Sequence, residues 1–279
     1  MLFTRCILLA MAGLAAAAPT TEAEAEKPLV AVPQVQKEEA ETFELQRNKT
    51  AARLAPDCSN LVAGLSFDDC IHMTNIGMAG MGENVFGNNG YIWIGDDGPN
   101  RFRFTNVGPG SLTLILWDFN GDYEASFMNV RAPKISYSLT NPGDTVVISV
   151  NPAISLGWAT LNNQQTTLSQ YGQIFNTWGE ATTGSGGPGS ATVNVSRLVN
   201  MNGNPQSISV AGCRADMDFC SFQCRFGALE CGESGSYDLL NCTPDVNPNS
   251  GTGTFDGINP EGGCYGWDSG GDILVELGS

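Results

Sequence analysis

Short segments that alternate polar with apolar residues fill the middle of this chain and restrict it to a β-rich fold. Nine segments between Tyr91 and Gly212 have strand character. Turns rich in Gly, Pro and Asn separate them, and the range has no sustained 3.6-residue period. So many short strands predict a sandwich or a barrel. The nine segments are residues 91–95, 101–106, 111–117, 134–139, 145–150, 156–161, 173–179, 191–196 and 206–212.

The two ends of the chain differ from this middle part. Residues 1–18 have a basic start, a short apolar run and small residues, which is the pattern of a secretory signal peptide. Residues 19–57 are rich in Glu, Ala and Pro, and we expect a flexible acidic arm or propeptide, with a weak helix around Glu38–Leu54 as the alternative. No other apolar run reaches the length of a membrane span. The sequence therefore predicts a secreted, extracellular chain with a folded part at residues 58–279.

Eight cysteines remain once Cys6 is removed with the signal segment. An even number in a secreted chain predicts four disulfides. We expect Cys58 to pair with Cys70 and the other six to pair among themselves, with their pairing left open. Zinc is the weaker interpretation because His72 is the only histidine, and we expect neither a metal nor a cofactor. The eight are Cys58, Cys70, Cys213, Cys220, Cys224, Cys231, Cys242 and Cys264.

Composition divides the folded part further. We expect the sandwich at about residues 85–212, followed by a loop-rich, disulfide-held lobe at residues 213–264, where apolar residues become scarce. The apolar segment 272–277 would return to the sandwich as a last strand. A net charge of −16 argues against a nucleic-acid partner, whereas a polysaccharide partner remains open. Sequons mark three candidate glycosylation sites, at Asn48, Asn194 and Asn241.

Candidate catalytic groups are few. A triad would have to use His72, which is better interpreted as a solvated or capping residue, and the acidic segment 118–124 fits a hairpin turn better than a calcium loop. Glycoside hydrolysis would need two carboxylates across a sugar-binding cleft. Exposed aromatic rings could hold sugars by stacking, although a tryptophan within a strand is more often part of the core. The tryptophans are Trp93, Trp117, Trp158, Trp178 and Trp267.

Particular sequence motifs resemble those of two known protein families. "FRFTNVGPGSLTLILW" (102–117) followed by "SLTNPGDTVVISVNPAISLGWATL" (138–161) resembles the opening strands of thaumatin-like proteins. "NNGYIWIGDDGPNRFRFTN", "NTWGE", "VSRLVNMNG" and "CRADMDFCSFQC" resemble a family of secreted fungal allergens, the Aspergillus allergen-four-like group. The thaumatin-like resemblance implies an antiparallel β-sandwich, a disulfide-rich second lobe and an acidic cleft, and some members of that family bind or slowly cleave β-1,3-glucan.

That resemblance also implies which residues would line the cleft. Its acidic positions fall on Glu180, on Asn194 and Asn200, and on either Asp216 or Asp218. Because two of these positions are amides, the acid–base pair is incomplete unless Asp216 or Asp218 replaces them. We therefore expect Glu180, Asn194 and Asn200 to bind rather than to catalyse.

The expected function is that of a non-enzymatic, allergen-like protein of the fungal wall or surface. Its expected partners are β-glucan in the cell wall and, if the protein is allergenic, host antibodies. A thaumatin-like β-1,3-glucanase and a secreted effector that binds a host protein are the alternatives.

Overall fold

Fifteen strands form two sheets in the computed structural model, which describes residues 55–119, 133–254 and 256–278. The predicted signal peptide, most of the predicted arm, Asn48 and most of the acidic segment 118–124 lie outside the described residues. In chain order the strands are β1 (Ile92–Ile94), β2 (Asn100–Asn106), β3 (Leu112–Asp118), β4 (Ile135–Leu139), β5 (Thr145–Val150), β6 (Ser155–Asn162), β7 (Trp178–Thr182), β8 (Thr192–Ser196), β9 (Gln206–Val210), β10 (Cys213–Ala215), β11 (Ser221–Cys224), β12 (Tyr237–Leu240), β13 (Ser250–Thr254), β14 (Pro260–Cys264) and β15 (Gly271–Leu277).

The first sheet has the order β1-β5-β2-β15-β9-β10, and the second has the order β12-β11-β8-β7-β6-β3-β4. In the second sheet β14 also pairs with β8, and β13 pairs with β14. The predicted return strand is confirmed, since β15 lies between β2 and β9. Both sheets are mixed rather than antiparallel, because β15 runs parallel to β2 and β11 runs parallel to β8. In both parallel pairs the later strand comes from residues 213–278, after the predicted sandwich.

The two sheets enclose the main core, as the β-sandwich prediction requires. Along β2, Phe102 and Phe104 are buried while Arg103 is exposed, which follows the alternation in the sequence. Both phenylalanine rings make edge-to-face contacts with Trp158 of the opposite sheet, at centroid distances of 5.7 Å and 5.3 Å. Burial of these three large side chains is therefore a main contact between the sheets.

A smaller apolar cluster lies on the outer face of the second sheet. It contains Ile115 and Trp178 from the sheet together with Cys70 and Met73 from a helix, α1 (Phe67–Asn75). The sequence analysis did not predict this helix. Its first turn is capped by Ser66, whose hydroxyl accepts a hydrogen bond from a backbone N–H of that turn. The helix therefore covers part of the face on which Glu180 also lies.

The cysteine-rich segment differs from the separate loop-rich lobe that the sequence predicts. It contains five strands, β10 to β14, which extend both sheets, and all the described residues belong to one compact unit. The disulfides pair Cys58 with Cys70 and the six later cysteines among themselves, as expected. The later pairs are Cys213–Cys264, Cys220–Cys242 and Cys224–Cys231. The first two of these pairs are buried in the main core, which explains how a segment poor in apolar residues joins the sandwich.

Among the described residues, no helix is both long enough and apolar enough to cross a membrane.

Candidate functional site

Glu180 lies in the middle of a strand rather than at the edge of a turn. The sequence predicts a strand at residues 173–179, but β7 begins only at Trp178, where the chain starts to pair with β8, and its pairing with β6 begins at Gly179. Glu180 faces Gly157 of β6 on one side and Asn194 of β8 on the other. Its neighbour Gly179 points into the main core, so the Glu180 side chain points to the outer face of the sheet.

A glycine lets an aromatic ring lie next to Glu180. A Cβ atom built at Gly157 would come within 2.9 Å of two carbon atoms of the Trp117 ring and within 3.0 Å of its Nε1. The Trp117 indole therefore occupies the space of the missing side chain. Trp117 also contacts Trp178 edge-to-face, with ring centroids 4.8 Å apart. These two tryptophans form an aromatic wall beside the carboxylate.

The carboxyl group of Glu180 titrates near neutral pH. Burial raises its pKa to about 7, because a charged carboxylate loses hydration in this position. Among the residues that the structure describes, none donates a hydrogen bond to it or forms an ion pair with it. Glu180 is thus a carboxyl group without a fixed partner, and near pH 7 it is divided between its neutral and ionised forms.

Tyr237 lies within electrostatic range of Glu180. Burial raises the pKa of the Tyr237 phenol, and the negative charges of Glu180 and Asp256 raise it further. The ring of Tyr237 packs edge-to-face on Phe222, with a centroid distance of 5.9 Å. A phenol that remains protonated adds a hydrogen-bond donor near the carboxyl group.

Two further polar atoms at this site lack partners. Within the described part of the chain, Trp117 Nε1 and Asn194 Oδ1 are buried and make no hydrogen bond. The amide nitrogen of Asn194 donates a long hydrogen bond, 3.4 Å, to the carbonyl oxygen of Gly262. A buried donor and a buried acceptor without partners are rare in native structures and call for an explanation. We refer to Trp117, Gly157, Glu180, Asn194 and Tyr237 as the Glu180 site.

Asp216 is not available as a second carboxylate for acid–base chemistry. It is buried, and one of its oxygens accepts hydrogen bonds from the backbone N–H groups of Asp218 (2.8 Å) and Phe219 (2.9 Å). The other oxygen forms an ion pair with Arg214. These three partners fix the turn between β10 and β11. Asp218 is exposed in the same turn, and its carbonyl oxygen accepts a hydrogen bond from the Asn241 amide.

The remaining predicted site residues have local roles. Asn200 donates to the carbonyl oxygen of Phe175 (3.2 Å) and accepts from the backbone N–H of Asn202 (2.9 Å), beyond the end of β8. His72 lies in α1 and its Nε2 contacts the carbonyl oxygen of Thr166 at 2.9 Å. Of the acidic positions that the thaumatin-like resemblance brings together, the fold therefore pairs only Glu180 with Asn194.

The three sequons differ sharply in accessibility. The Asn194 side chain is only 8% exposed in the folded chain. This burial disfavours a glycan on Asn194 beside Glu180, and glycosylation at this position stays a prediction. Asn241 is exposed, although Cys242 of its sequon is bonded to Cys220. Asn48 lies outside the described residues.

Sequence reasoning found Glu180 and Asn194 but missed two other members of the site. The two missed members are Gly157 and Tyr237, which lie in no motif that pointed to a site. Trp117 was named only as one of five tryptophans that could stack on a sugar. Gly157 contributes to the site because the register between β3 and β6 places the Trp117 ring over it, and this register could not be predicted from the sequence.

Comparisons with known proteins add little. No protein-family profile matches the chain, and no curated protein matches its sequence. Among solved structures, the crystal structure of the protein elicitor MoHrip2 from Magnaporthe oryzae aligns at 9% sequence identity and a TM-score of 0.24. The alignment covers 64% of this chain and 99% of that chain. A score this low supports no inference about fold or activity, so the allergen-like and thaumatin-like resemblances rest on the sequence motifs.

Proposed function

We propose that this chain is a secreted, non-enzymatic, allergen-like protein of a fungal wall or surface, and that it binds β-glucan at the Glu180 site. The secreted location follows from the signal-like segment and from the four disulfides, which are typical of oxidising compartments. The fungal origin and the allergen family follow from the motif resemblance alone.

The observation that carries the proposal is the set of polar groups without partners around Glu180. Trp117 Nε1 can only donate, Asn194 Oδ1 can only accept, and a carboxyl group with a pKa of about 7 can do both when neutral. A sugar hydroxyl is both a donor and an acceptor, and it can reach the partly exposed Glu180 directly. The two buried atoms, Trp117 Nε1 and Asn194 Oδ1, become available to the sugar only if the Trp117 ring moves aside. The partly exposed Trp117 ring supplies the apolar surface on which a sugar ring packs, and Trp178, which is buried, packs against that ring.

Neither described strand partner of Glu180 is a second carboxylate, which favours binding over hydrolysis. A glycosidase needs an acid and a second carboxylate about 5–10 Å apart. Asp216 is held by its turn, and the position opposite Glu180 is occupied by Asn194, which neither gives nor takes a proton near neutral pH. Glu180 could serve as an acid, but the described residues place no partner carboxylate across the strand from it.

A glucan pull-down with two substitutions at one position separates binding from catalysis. The purified chain is incubated with insoluble β-1,3-glucan, and protein in the pellet and reducing sugar in the supernatant are both measured. Glu180→Gln keeps a neutral hydrogen-bonding group and should still pellet, whereas Glu180→Ala should bind about tenfold more weakly. Glu276→Gln, on an exposed position of β15 in the other sheet, is the matched control.

Each outcome has a definite meaning. Pelleting without sugar release, lost in the alanine variant and kept in the glutamine variant, would support the proposal. Sugar release that Glu180→Gln abolishes would make the chain a β-1,3-glucanase. Failure of the unmodified chain to pellet would reject β-glucan as the ligand.

A further inference from the structure

A short loop closed by a disulfide projects from the end of the second sheet. The loop spans residues 224–231, between β11 and β12, and the Cys224–Cys231 disulfide joins its two ends. We call it the 224–231 loop. Its tip carries two large apolar side chains: Phe226 is 98% exposed and Leu229 is 61% exposed.

Phe226 combines full exposure with an unfavourable backbone conformation. Its φ of 58° and ψ of 21° lie in the left-handed region, which a bulky residue other than glycine rarely adopts. No packing inside the described fold compensates for this strain, since the ring is almost entirely in water. Asn or Gly at this position would fit the backbone better and would also suit the solvent. The folded chain alone therefore gives no reason for phenylalanine here.

The base of the loop is rigid, so its tip is presented in one conformation. The backbone N–H of Arg225 donates to Ser236 (2.8 Å), and that of Cys231 donates to Leu198 (2.8 Å). The Arg225 guanidinium also bonds to the carbonyl oxygen of Gly235 and pairs with Asp238. A preorganised apolar tip loses little conformational entropy when a partner buries it.

Charge decides what kind of partner fits. The only cation of the loop, Arg225, is already paired with Asp238. Glu230 and Glu233 next to the tip are acidic, as is the whole chain, which has a net charge of −16. Like charges disfavour both a second copy of this chain and an anionic lipid surface, whereas positive charges around an apolar pocket would complement this surface.

We propose that the 224–231 loop is a docking element that inserts Phe226 and Leu229 into an apolar pocket with a basic rim on a partner protein. Phe226 is the anchor, Leu229 contacts the wall of the pocket, and the exposed Glu233 faces the positive rim. The element lies apart from the Glu180 site and does not depend on glucan binding.

The test uses a defined probe, a display library of one small folded domain with randomised surface loops, selected against the complete chain. Three variants are then compared for binding to the selected domains. Phe226→Asn removes the anchor and relieves the backbone, Leu229→Ser removes the second contact, and Phe67→Ser, at an exposed position of α1, is the control. Thermal unfolding of Phe226→Asn shows whether the fold is intact, and we expect equal or higher stability than in the unmodified chain.

We expect the dominant binders to carry Arg or Lys around an apolar cavity. Their affinity should fall at least about tenfold in Phe226→Asn and decrease with added salt, while Phe67→Ser should have no effect. The proposal would be overturned if the selection enriched no binder, or if the enriched binders had neutral or acidic surfaces. It would also be overturned if their affinity were the same for Phe226→Asn and the unmodified chain. A Phe226-dependent dimer in sedimentation would replace it with self-association, and Phe226-dependent binding to phosphatidylcholine–phosphatidylserine vesicles would replace it with a lipid surface.

Discussion

Gly157 lies directly opposite Glu180 on the neighbouring strand, and its missing side chain leaves the space that the Trp117 indole occupies beside the carboxyl group. Cross-strand partners have Cβ positions about 5 Å apart, so a ring above Gly157 is next to Glu180. Burial raises the pKa of Glu180 to about 7, and we expect the neighbouring Trp117 ring to contribute to this loss of hydration. One glycine thus connects strand register to the chemistry of the site.

Gly157→Ala should displace Trp117 and lower the pKa of Glu180. The new methyl group would lie 2.9 Å from the ring, which is too close, and such overpacking costs about 1–3 kcal/mol. Water that reaches the carboxyl group would return its pKa toward the ordinary value. Urea unfolding would measure the stability, and carboxyl carbon shifts in an NMR titration would measure the pKa. Gly187→Ala is the control, because a Cβ there meets nothing within 4 Å. An unchanged pKa in Gly157→Ala would reject this account.

Glu180→Gln should stabilise the fold at alkaline pH and have little effect in acid. The folded-state pKa is raised from 4.5 to about 7, so ionisation is easier in the unfolded chain. The contribution of Glu180 to stability is therefore greatest below pH 4.5, falls as the pH rises toward 7, and stays at the lower level above that. At about 1.4 kcal/mol per pKa unit, the loss approaches about 3 kcal/mol above pH 8.

Urea unfolding at pH 4, 6 and 8 measures this effect. The difference between Glu180→Gln and the unmodified chain should grow with pH, while Glu276→Gln, on an exposed position, should give no such trend. A difference that is constant across the three pH values would show that Glu180 does not titrate as its burial requires.

Local patterns allowed much of the sandwich to be predicted. Alternation in β2 is enough to bury Phe102 and Phe104, because a strand with one buried face needs only a period of two. The same pattern places β15 correctly as a late strand. The grouping of the disulfides could also be predicted, since Cys58 and Cys70 are far in sequence from the other six cysteines.

Features that depend on the register between distant strands could not be predicted from the sequence. Neither parallel pair could be read from the strands themselves, because each is set by a long crossover. The shifted start of β7 and the meeting of Trp117 with Gly157 likewise depend on how distant strands align. The five strands of the cysteine-rich segment were missed because β13 and β14 are rich in glycine and β10 to β12 have only three or four residues each. Disulfides link this segment internally and to the main core.

Secretion from a eukaryotic host should leave Asn194 without a glycan. Its side chain is only 8% exposed and faces Glu180 across the strand pair, whereas Asn241 is exposed. Mass spectrometry of peptides from the folded, secreted chain, with and without glycosidase treatment, would give the occupancy of each position. Asn241→Gln should remove any glycan from residues 58–279, and Asn194→Gln should not change the mass of the sugar. A glycan found on Asn194 would mean that the outer face of β8 is more open than described.

The two asparagines at the ends of β2 should differ in their contribution to stability, although both are buried. Asn106 donates to the carbonyl oxygens of Gly110 (2.8 Å) and Leu139 (3.0 Å) and accepts from the N–H of Gly108 (3.0 Å). Asn100 donates one hydrogen bond, to Val150 (2.9 Å), and its Oδ1 has no partner among the described residues.

Asn106→Ala should therefore cost about 3 kcal/mol or more, because it leaves three buried backbone groups without partners, whereas Asn100→Ala should cost about 1 kcal/mol. Urea unfolding of the two variants beside the unmodified chain measures both values. The comparison holds side-chain type, burial and strand constant, so the difference reports the number of hydrogen bonds lost. Equal losses in the two variants would show that side-chain packing, rather than hydrogen bonding to the turn after β2, is what Asn106 contributes.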